Sequence, residues 1–553
     1  MTALPWKAPP DSLIFVPLGG ANEIGMNLNL YAYKGKWLMI DLGIGFADDW
    51  LPGVDIVVPD IQFLIEHKEH IVGLVLTHAH EDHIGAVPYL WSELECPIYT
   101  TPFTAAVVQE KFASMGLKQR PVIHEIAPGG STDVGPFGIE IVPITHSIPE
   151  MHAVAVKTPK GTVLHTGDWK FDDQPMVGVS TDEKRLKELG DEGVLALVCD
   201  STNVFVQGHS GSEGDVRKSL IELIRTCGAR VAVTTFASNV ARLESIAVAA
   251  IENGRKPALV GRALSRIAAA AQACGYLEGI EFITDKQAAA MPKHEVLFIC
   301  TGSQGEPRAA IAKISRDEHP VVKLTPGDAV IFSSRVIPGN ERKLYRMFNT
   351  FVRRGIETIT EKDHFVHVSG HPAREELIKM YQLVRPKIAV PVHGEARHLH
   401  EHSRLARSLG VEQAVEAHNG AAIRLELGKT EIVGEVKTGY MAVDGLSIIP
   451  ADGPVMKMRR KIVNDGVVFV SAVLGKHARL EAEAQVTAPG LLDPREDSDL
   501  LELVEEAVED AIHSAKPNTT DDDFRQRITA AVRKVLKPEL DKKPVVEVQI
   551  IRL

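Results

Sequence analysis

Leu76-Thr77-His78-Ala79-His80-Glu81-Asp82-His83 is the stretch that decides the fold. Three histidines and an aspartate fall within the six positions 78–83, directly after an apolar run that reads as a buried strand, Val72 to Thr77. Imidazole and carboxylate are the ligand set of zinc. Alternation in the turn after a strand lets His78 and His80 face one site while Asp82 and His83 face a neighbouring one. Two ions need more ligands than one loop holds. Candidates recur where other apolar runs end: His146 after Pro143-Ile144-Thr145, Asp168 after His165-Thr166-Gly167, and His393 after Pro391-Val392. The isolated His124 and His165 read instead as ordinary structural histidines.

Outward from that run, Leu13 to Val16, Trp37 to Asp41 and Ile98 to Thr100 read as further buried strands bounded by Gly, Pro or Asp. Ile139 to Ile144, Ala153 to Lys157 and Thr162 to Thr166 follow with no long helix between them. Beyond Asp200 the pattern becomes strict βα alternation, with helices at Ser212 to Cys227, Val240 to Asn253, Leu264 to Cys274 and Arg308 to Ile314. The intervening strands are Arg230 to Thr235, Pro257 to Val260, Glu295 to Cys300 and Asp328 to Ser333. Such alternation predicts a parallel sheet, hence a separate α/β domain inserted into the first. The first fold resumes with strands expected at His364 to Val368 and Ile388 to Val392. A composition shift near Ala451 to Pro454 opens a tail with strands at Val467 to Val473 and Ala482 to Thr487, helices at Asp499 to Ser514 and Asp521 to Val535, and a last strand at Pro544 to Arg552, a small α+β module.

The chain has 553 residues, 44% of them hydrophobic and 24% charged, the composition of a modular soluble protein with several cores. No apolar stretch has membrane-spanning or signal-peptide length, so a cytoplasmic location is expected. The five cysteines are scattered without a C-x-x-C pair and predict no disulfide framework. A net charge of −12 argues against indiscriminate nucleic-acid binding. Local cationic clusters at Arg335, Arg342, Lys343 and Arg346, at Arg353 and Arg354, and at Lys457, Arg459, Arg460 and Lys461 leave room for a basic channel.

The order of the histidine-rich loop, His146, Asp168 and His393 resembles that of the metallo-β-lactamase superfamily, with Asp41 matching the family's first aspartate. The resemblance implies an αββα sandwich in which His78, His80 and His146 hold one zinc, Asp82, His83 and His393 hold another, Asp168 bridges them and Asp41 orients the loop from behind. The domain inserted between Asp168 and His393 is similar to the β-CASP domain of nucleic-acid-processing members. Their further motifs match Cys199-Asp200-Ser201-Thr202, Ser369-Gly370-His371-Pro372-Ala373 and Pro391-Val392-His393-Gly394-Glu395. Histidine at the last motif implies RNA, where valine is usual for DNA. Within the group the chain most resembles the bacterial ribonuclease J family, through Gly19-Gly20-Ala21-Asn22-Glu23-Ile24-Gly25-Met26-Asn27, Ser333-Ser334-Arg335-Val336-Ile337-Pro338-Gly339-Asn340-Glu341 and the tail module. Pro372 departs from several relatives, which bears only on local loop geometry.

The resemblance implies an α/β protein divided into residues 1–205 and 371–448 for the metallo-β-lactamase domain, 206–370 for the β-CASP domain and 455–553 for the tail. It implies two zinc ions per chain, with manganese or magnesium as alternatives, and hydrolysis of RNA phosphodiesters. Cleavage would run 5′ to 3′ from a 5′-monophosphate end with additional endonuclease action, leaving 5′-phosphate and 3′-hydroxyl ends. Asp82, Asp168 and His371 would be catalytic, with His371 stabilising charge or protonating the leaving oxygen. Ser369, Gly370 and His371 would line a phosphate pocket with help from Ser238 and Asn239, and Phe236 would stack a base. Arg335, Arg342 and Arg346 would flank the RNA channel. Expected partners are RNA, a second or further copies in a homodimer or homotetramer, and an RNA-decay complex; no membrane is expected. Among rivals, a DNA nuclease of the same fold is disfavoured by His393, and a small-molecule hydrolase by the inserted domain. A metal-free scaffold is disfavoured by the intact ligand set.

Overall fold

The computed structural model describes residues 7–476, 479–516 and 518–553. Two compact units partition it: one takes the chain through Gly45 with Val58–Gly439, the other Phe46–Val57 with Tyr440–Leu553.

In the first unit an eight-stranded sheet runs in the order Glu431–Glu435, Ala421–Arg424, Ile14–Gly19, Leu28–Tyr33, Lys36–Ile40, Ile71–Val75, Ile98–Thr100 and Ile123–Glu125. A seven-stranded sheet has the order Gln413–Ala414, Ile388–Val392, Val194–Asp200, Gly161–His165, His152–Thr158, Phe137–Pro143 and Ser131–Val134. The two share one core, in which Phe15, Tyr31 and Ile40 of the first meet Ile141, Val154 and Val390 of the second. Strand side chains alternate between faces, so Trp37, next to the inward Leu38, faces outward, where Phe63 of helix Gln62–Glu66 meets it edge-on at 5.2 Å. The outer face of the second sheet is covered by helices Glu183–Glu192, Arg374–Val384 and Ala396–Ser408, through Leu186, Leu377, Met380 and Leu405. These four layers make the αββα sandwich.

The insertion carries a six-stranded sheet, Ile283–Thr284, Lys256–Val260, Val296–Cys300, Val231–Thr234, Ala329–Phe332 and Glu357–Ile359, paired parallel throughout. Strands such as Val296–Cys300 are buried along their whole length, as a sheet covered on both faces demands. The strand expected at His364 to Val368 is absent among the described residues: that segment runs without ladder pairing. Its Val366 carbonyl is satisfied instead by the Arg242 guanidinium at 3.0 Å and the Ser333 hydroxyl at 2.7 Å, so no neighbouring strand is needed.

In the second unit Val467–Leu474 pairs antiparallel with Gln485–Thr487 and parallel with the last strand, Val545–Arg552. Helices Ser498–His513 and Asp521–Leu540 cover this sheet with Val504, Val508 and Ile512 and with Phe524, Ile528, Val532 and Leu536, an i, i+4 stripe on each.

Candidate metal centre

Register brings the site together. Ile40 pairs with Val75 in parallel strands, so Asp41 and Thr77 leave the first sheet side by side. In the second sheet Asp200 pairs with Val392 and His165 with Val198, which sets Asp168, Asp200 and His393 beyond the carboxyl ends of adjacent strands. Asp41 and His393 both sit at positive φ, 63° and 52°, a conformation non-glycine residues rarely adopt and one that marks imposed geometry at a site.

Three groups of side chains that could hold a metal ion converge, each with its donor atoms within 4.8 Å of one another: His78, His80, His146 and Asp168; Asp82, His83, Asp168 and His393; and Asp168, Asp200, His371 and His393. His80 Nδ1 lies 3.0 Å from His78 Nε2 and 3.1 Å from His146 Nε2. Burial pushes the His80 imidazole down to about 4 and holds those of His78 and His146 well below the usual value, so all three are neutral donors.

The protein dictates which nitrogen each offers. His146 Nδ1 donates to the Gly370 carbonyl at 2.6 Å, leaving Nε2 as a lone pair. His83 Nδ1 donates to Asp41 Oδ2 at 2.7 Å and turns Nε2 toward Asp168 Oδ2, 3.2 Å away. His393 Nδ1 donates to Thr202 Oγ1 at 2.8 Å, with Nε2 3.3 Å from Asp82 Oδ2. Asp41 also accepts from the Thr77 amide and hydroxyl at 2.8 and 2.9 Å, which fixes the loop's first turn. Lone pairs pointed at one another repel unless a cation lies between them, and buried Asp168 Oδ1 has no hydrogen-bond partner. The donor set therefore fits divalent metal.

Burial opposes charge on Asp82, but His83 and His393 outweigh it and keep the carboxylate below its usual range. Burial likewise opposes protonation of His371, and Asp200 and Asp168 overcome it, so its pKa is raised. His371 Nδ1 donates to Asp200 Oδ2 at 2.8 Å. Sequence reasoning gives Asp200 no role at the site, although it ends a strand at this edge; its acid caps His371 and lies 3.5 Å from His393 Nδ1.

Ser369, Gly370 and His371 lie against the ligands. A Cβ on Gly370 would sit 2.5 Å from the His146 ring, so only glycine lets this loop approach so closely. Asn203 Nδ2 donates to Ser369 Oγ at 2.8 Å and to the His371 carbonyl at 3.1 Å. The helix that follows the Phe236–Asn239 loop, Val240–Glu252, is tied in through Ser147, whose carbonyl accepts from the Ala241 amide and whose hydroxyl is 3.4 Å from His80 Nε2. Asn239 spends its side-chain oxygen capping helix Val240–Glu252; Phe236 and Ser238 are half-buried beside it. Arg335, Arg342 and Arg346 are exposed, whereas Arg354 is taken up by the carbonyls of Ile314, Ser315 and Leu324.

Four family descriptions match the chain. A beta-lactamase superfamily domain covers residues 37–184, the ribonuclease J beta-CASP domain 228–351, a Zn-dependent metallo-hydrolase RNA specificity domain 356–418, and the ribonuclease J C-terminal domain 454–553. Ribonuclease J of Sinorhizobium meliloti is 42% identical over 99% of this chain and 98% of its own length. The chain belongs to the ribonuclease J family. Ribonuclease J of Mycolicibacterium smegmatis is 40% identical, covering 95% of this chain and 94% of its own, and that of Thermus thermophilus 34%, covering 97% and 95%. A crystal structure of a protein of unknown function from Enterococcus faecalis shares the fold at a TM-score of 0.52 and 18% identity, over 75% of this chain and all of that one. As a ribonuclease J family member with this His/Asp cluster, the chain is a metal-dependent RNA hydrolase. Among the described residues no helix is long and apolar enough to cross a membrane.

Proposed function

We propose that this chain is a cytoplasmic zinc ribonuclease in RNA processing and decay that degrades RNA 5′ to 3′, prefers a 5′-monophosphate and also cuts internally. The observation that carries the reading is the pair of ligand sets meeting at Asp168 directly beneath the Ser369-Gly370-His371 loop. In this reading His78, His80 and His146 hold one zinc, Asp82, His83 and His393 the other, and Asp168 serves both. When bound, the metals supply Lewis-acid activation of the phosphodiester and of the attacking water. Asp41 holds His83 in its donor tautomer. His371, its Nδ1 proton held by Asp200, presents Nε2 for charge stabilisation or proton delivery to the leaving oxygen. The Ser369 hydroxyl and the Gly370 amide receive the terminal phosphate, with Ser238, Asn239 and Phe236 at its far side.

Residues 1–205 and 371–448 then form the catalytic domain, 206–370 the β-CASP domain and 455–553 a tail that supports dimers or tetramers, and a decay complex is a natural setting. Cleavage of a 3′-labelled RNA bearing a 5′-monophosphate or a 5′-triphosphate, with a DNA control, tests this. Mononucleotide release from the monophosphate RNA, lost on chelation and restored by zinc, is expected. Equal cutting of both ends, or of DNA, would overturn the stated direction or substrate.

A further inference from the structure

The turn after Asp200 presents an aromatic ring to solvent at the metal-bearing edge. Val204 is fully buried while its neighbour Phe205 is 41% exposed. One exposed phenylalanine is ordinary by itself. This one is held by a guanidinium: Arg397 Cζ lies 4.6 Å from the ring centroid, and the His398 ring meets it edge-on at 5.4 Å and 65°. Arg397 and His398 belong to the first turn of helix Ala396–Ser408, which follows strand Ile388–Val392 through His393. Because that strand lies parallel beside Val194–Asp200, with Asp200 opposite Val392, both turns leave the sheet at the edge that carries the ligands.

The residues that set the ring's position are those of the centre itself. Thr202, three positions before Phe205, accepts from His393, and Asn203 donates to Ser369 and to the His371 carbonyl. Val206 N closes the turn on the Asn203 carbonyl at 2.8 Å. The turn that carries the ring is thus tied by hydrogen bonds to His393, Ser369 and His371 rather than being a free loop. An aromatic face backed by a guanidinium recognises a stacked base together with its phosphate. Such stacking is tolerant of sequence, as an enzyme that consumes any RNA requires.

We propose that Phe205, backed by Arg397 and His398, is a stacking platform for one RNA base near the metal centre; this rests on the ribonuclease reading above. The test uses the full chain, single-stranded RNA labelled at its 3′ end, and a series carrying one abasic ribonucleotide at successive positions. Phe205→Ala should raise KM about tenfold with kcat nearly unchanged, and Phe205→Trp should keep the wild-type KM and show emission quenched by RNA. One abasic position should weaken binding to the wild type by a similar factor and leave Phe205→Ala indifferent. A wild-type KM for Phe205→Ala, or the same abasic penalties in both proteins, would overturn the platform while leaving the ribonuclease reading intact; Phe205 would then suit a protein partner. Failure of the wild type to cut any RNA would overturn both.

Discussion

An imidazole binds metal through one nitrogen, so each ligand histidine needs a partner on the other. Asp41 plays that part for His83, and its φ of 63° is one asparagine tolerates. Asp41→Asn should therefore keep the fold while weakening metal binding about 10- to 100-fold, measured by chelator competition; unchanged affinity would remove Asp41 from its positioning role. Behind the site, His402 bridges Ser201 Oγ at 2.8 Å and Tyr381 OH at 3.0 Å, and burial pushes its pKa down from 6.5 to about 4. Between those values the unfolded chain binds a proton that the native protein does not, so stability falls on acidification, by up to about 1.4 kcal/mol per pH unit from this group. His402→Gln should flatten the dependence of urea midpoint on pH between 6.5 and 4.5, and an unchanged slope would refute the neutral buried imidazole. Single residues are legible from sequence where type and spacing coincide, as in His78 to His83. His124 stacks on Tyr99 at 4.8 Å and His165 lies 3.1 Å from the Tyr31 hydroxyl, and neither belongs to the groups that could hold a metal ion among the described residues. Asp200 is marked in the sequence only as part of the Cys199-Asp200-Ser201-Thr202 motif; its role comes from the register that sets it beside His371 and His393.

Elements are joined at the insertion by one buried side chain. Arg242, in the first turn of helix Val240–Glu252, is fully buried and makes 2.8 and 3.0 Å bonds to both carboxylate oxygens of Glu213. It also donates to the carbonyls of Ser333 and Val366 at 3.0 Å each. It thereby fastens two helices, a strand end and the segment leading to Ser369. Arg242→Met leaves Glu213 buried and unpaired, which should cost about 3–5 kcal/mol; adding Glu213→Leu should restore part of that. Chemical denaturation of the two variants checks it, and equal stability of single and double variants would refute the coupling. The same residue explains why His364 to Val368 reads as a strand and is not one: Phe365, Val366 and Val368 favour extended chain, but a guanidinium and a hydroxyl take the carbonyl that a ladder would have used. Strand Leu28–Tyr33 escapes the sequence for the opposite reason. It is buried along its whole length, yet Asn29, Tyr31 and Tyr33 dilute its apolar signal. The insertion is legible because strands buried on both faces are continuous apolar runs between helices.

At the scale of the molecule, a net charge of −12 must be reconciled with a polyanionic substrate. The exposed Arg342 and Arg346 on helix Glu341–Arg353 offer local positive charge, so Arg342→Glu with Arg346→Glu should raise KM for RNA. The slope of log KM against log salt should fall by about 0.7 for each phosphate that the variant no longer neutralises. A slope equal to that of the wild type would place these arginines outside the RNA path. A divalent metal would also tie distant parts of the first unit together. The residues that could hold it run from His78 to His393, come from both sheets, and bracket the entire inserted domain. An ion that binds only when they are assembled stabilises the native state by mass action, by about 2.7 kcal/mol at a free concentration 100 times Kd. Without it the neutral imidazole nitrogens of His78, His80 and His146 converge within 3.0–3.1 Å with no cation to share. The apoprotein should therefore melt at a lower temperature, and zinc should raise the midpoint in a concentration-dependent way. In His80→Ala, which keeps the other ligands but lacks a donor to the first set, the zinc-dependent rise should shrink and cleavage should be lost. Superimposable melting curves for wild type with and without chelator would mean that the cluster is preformed by the fold and that the metal contributes to chemistry alone.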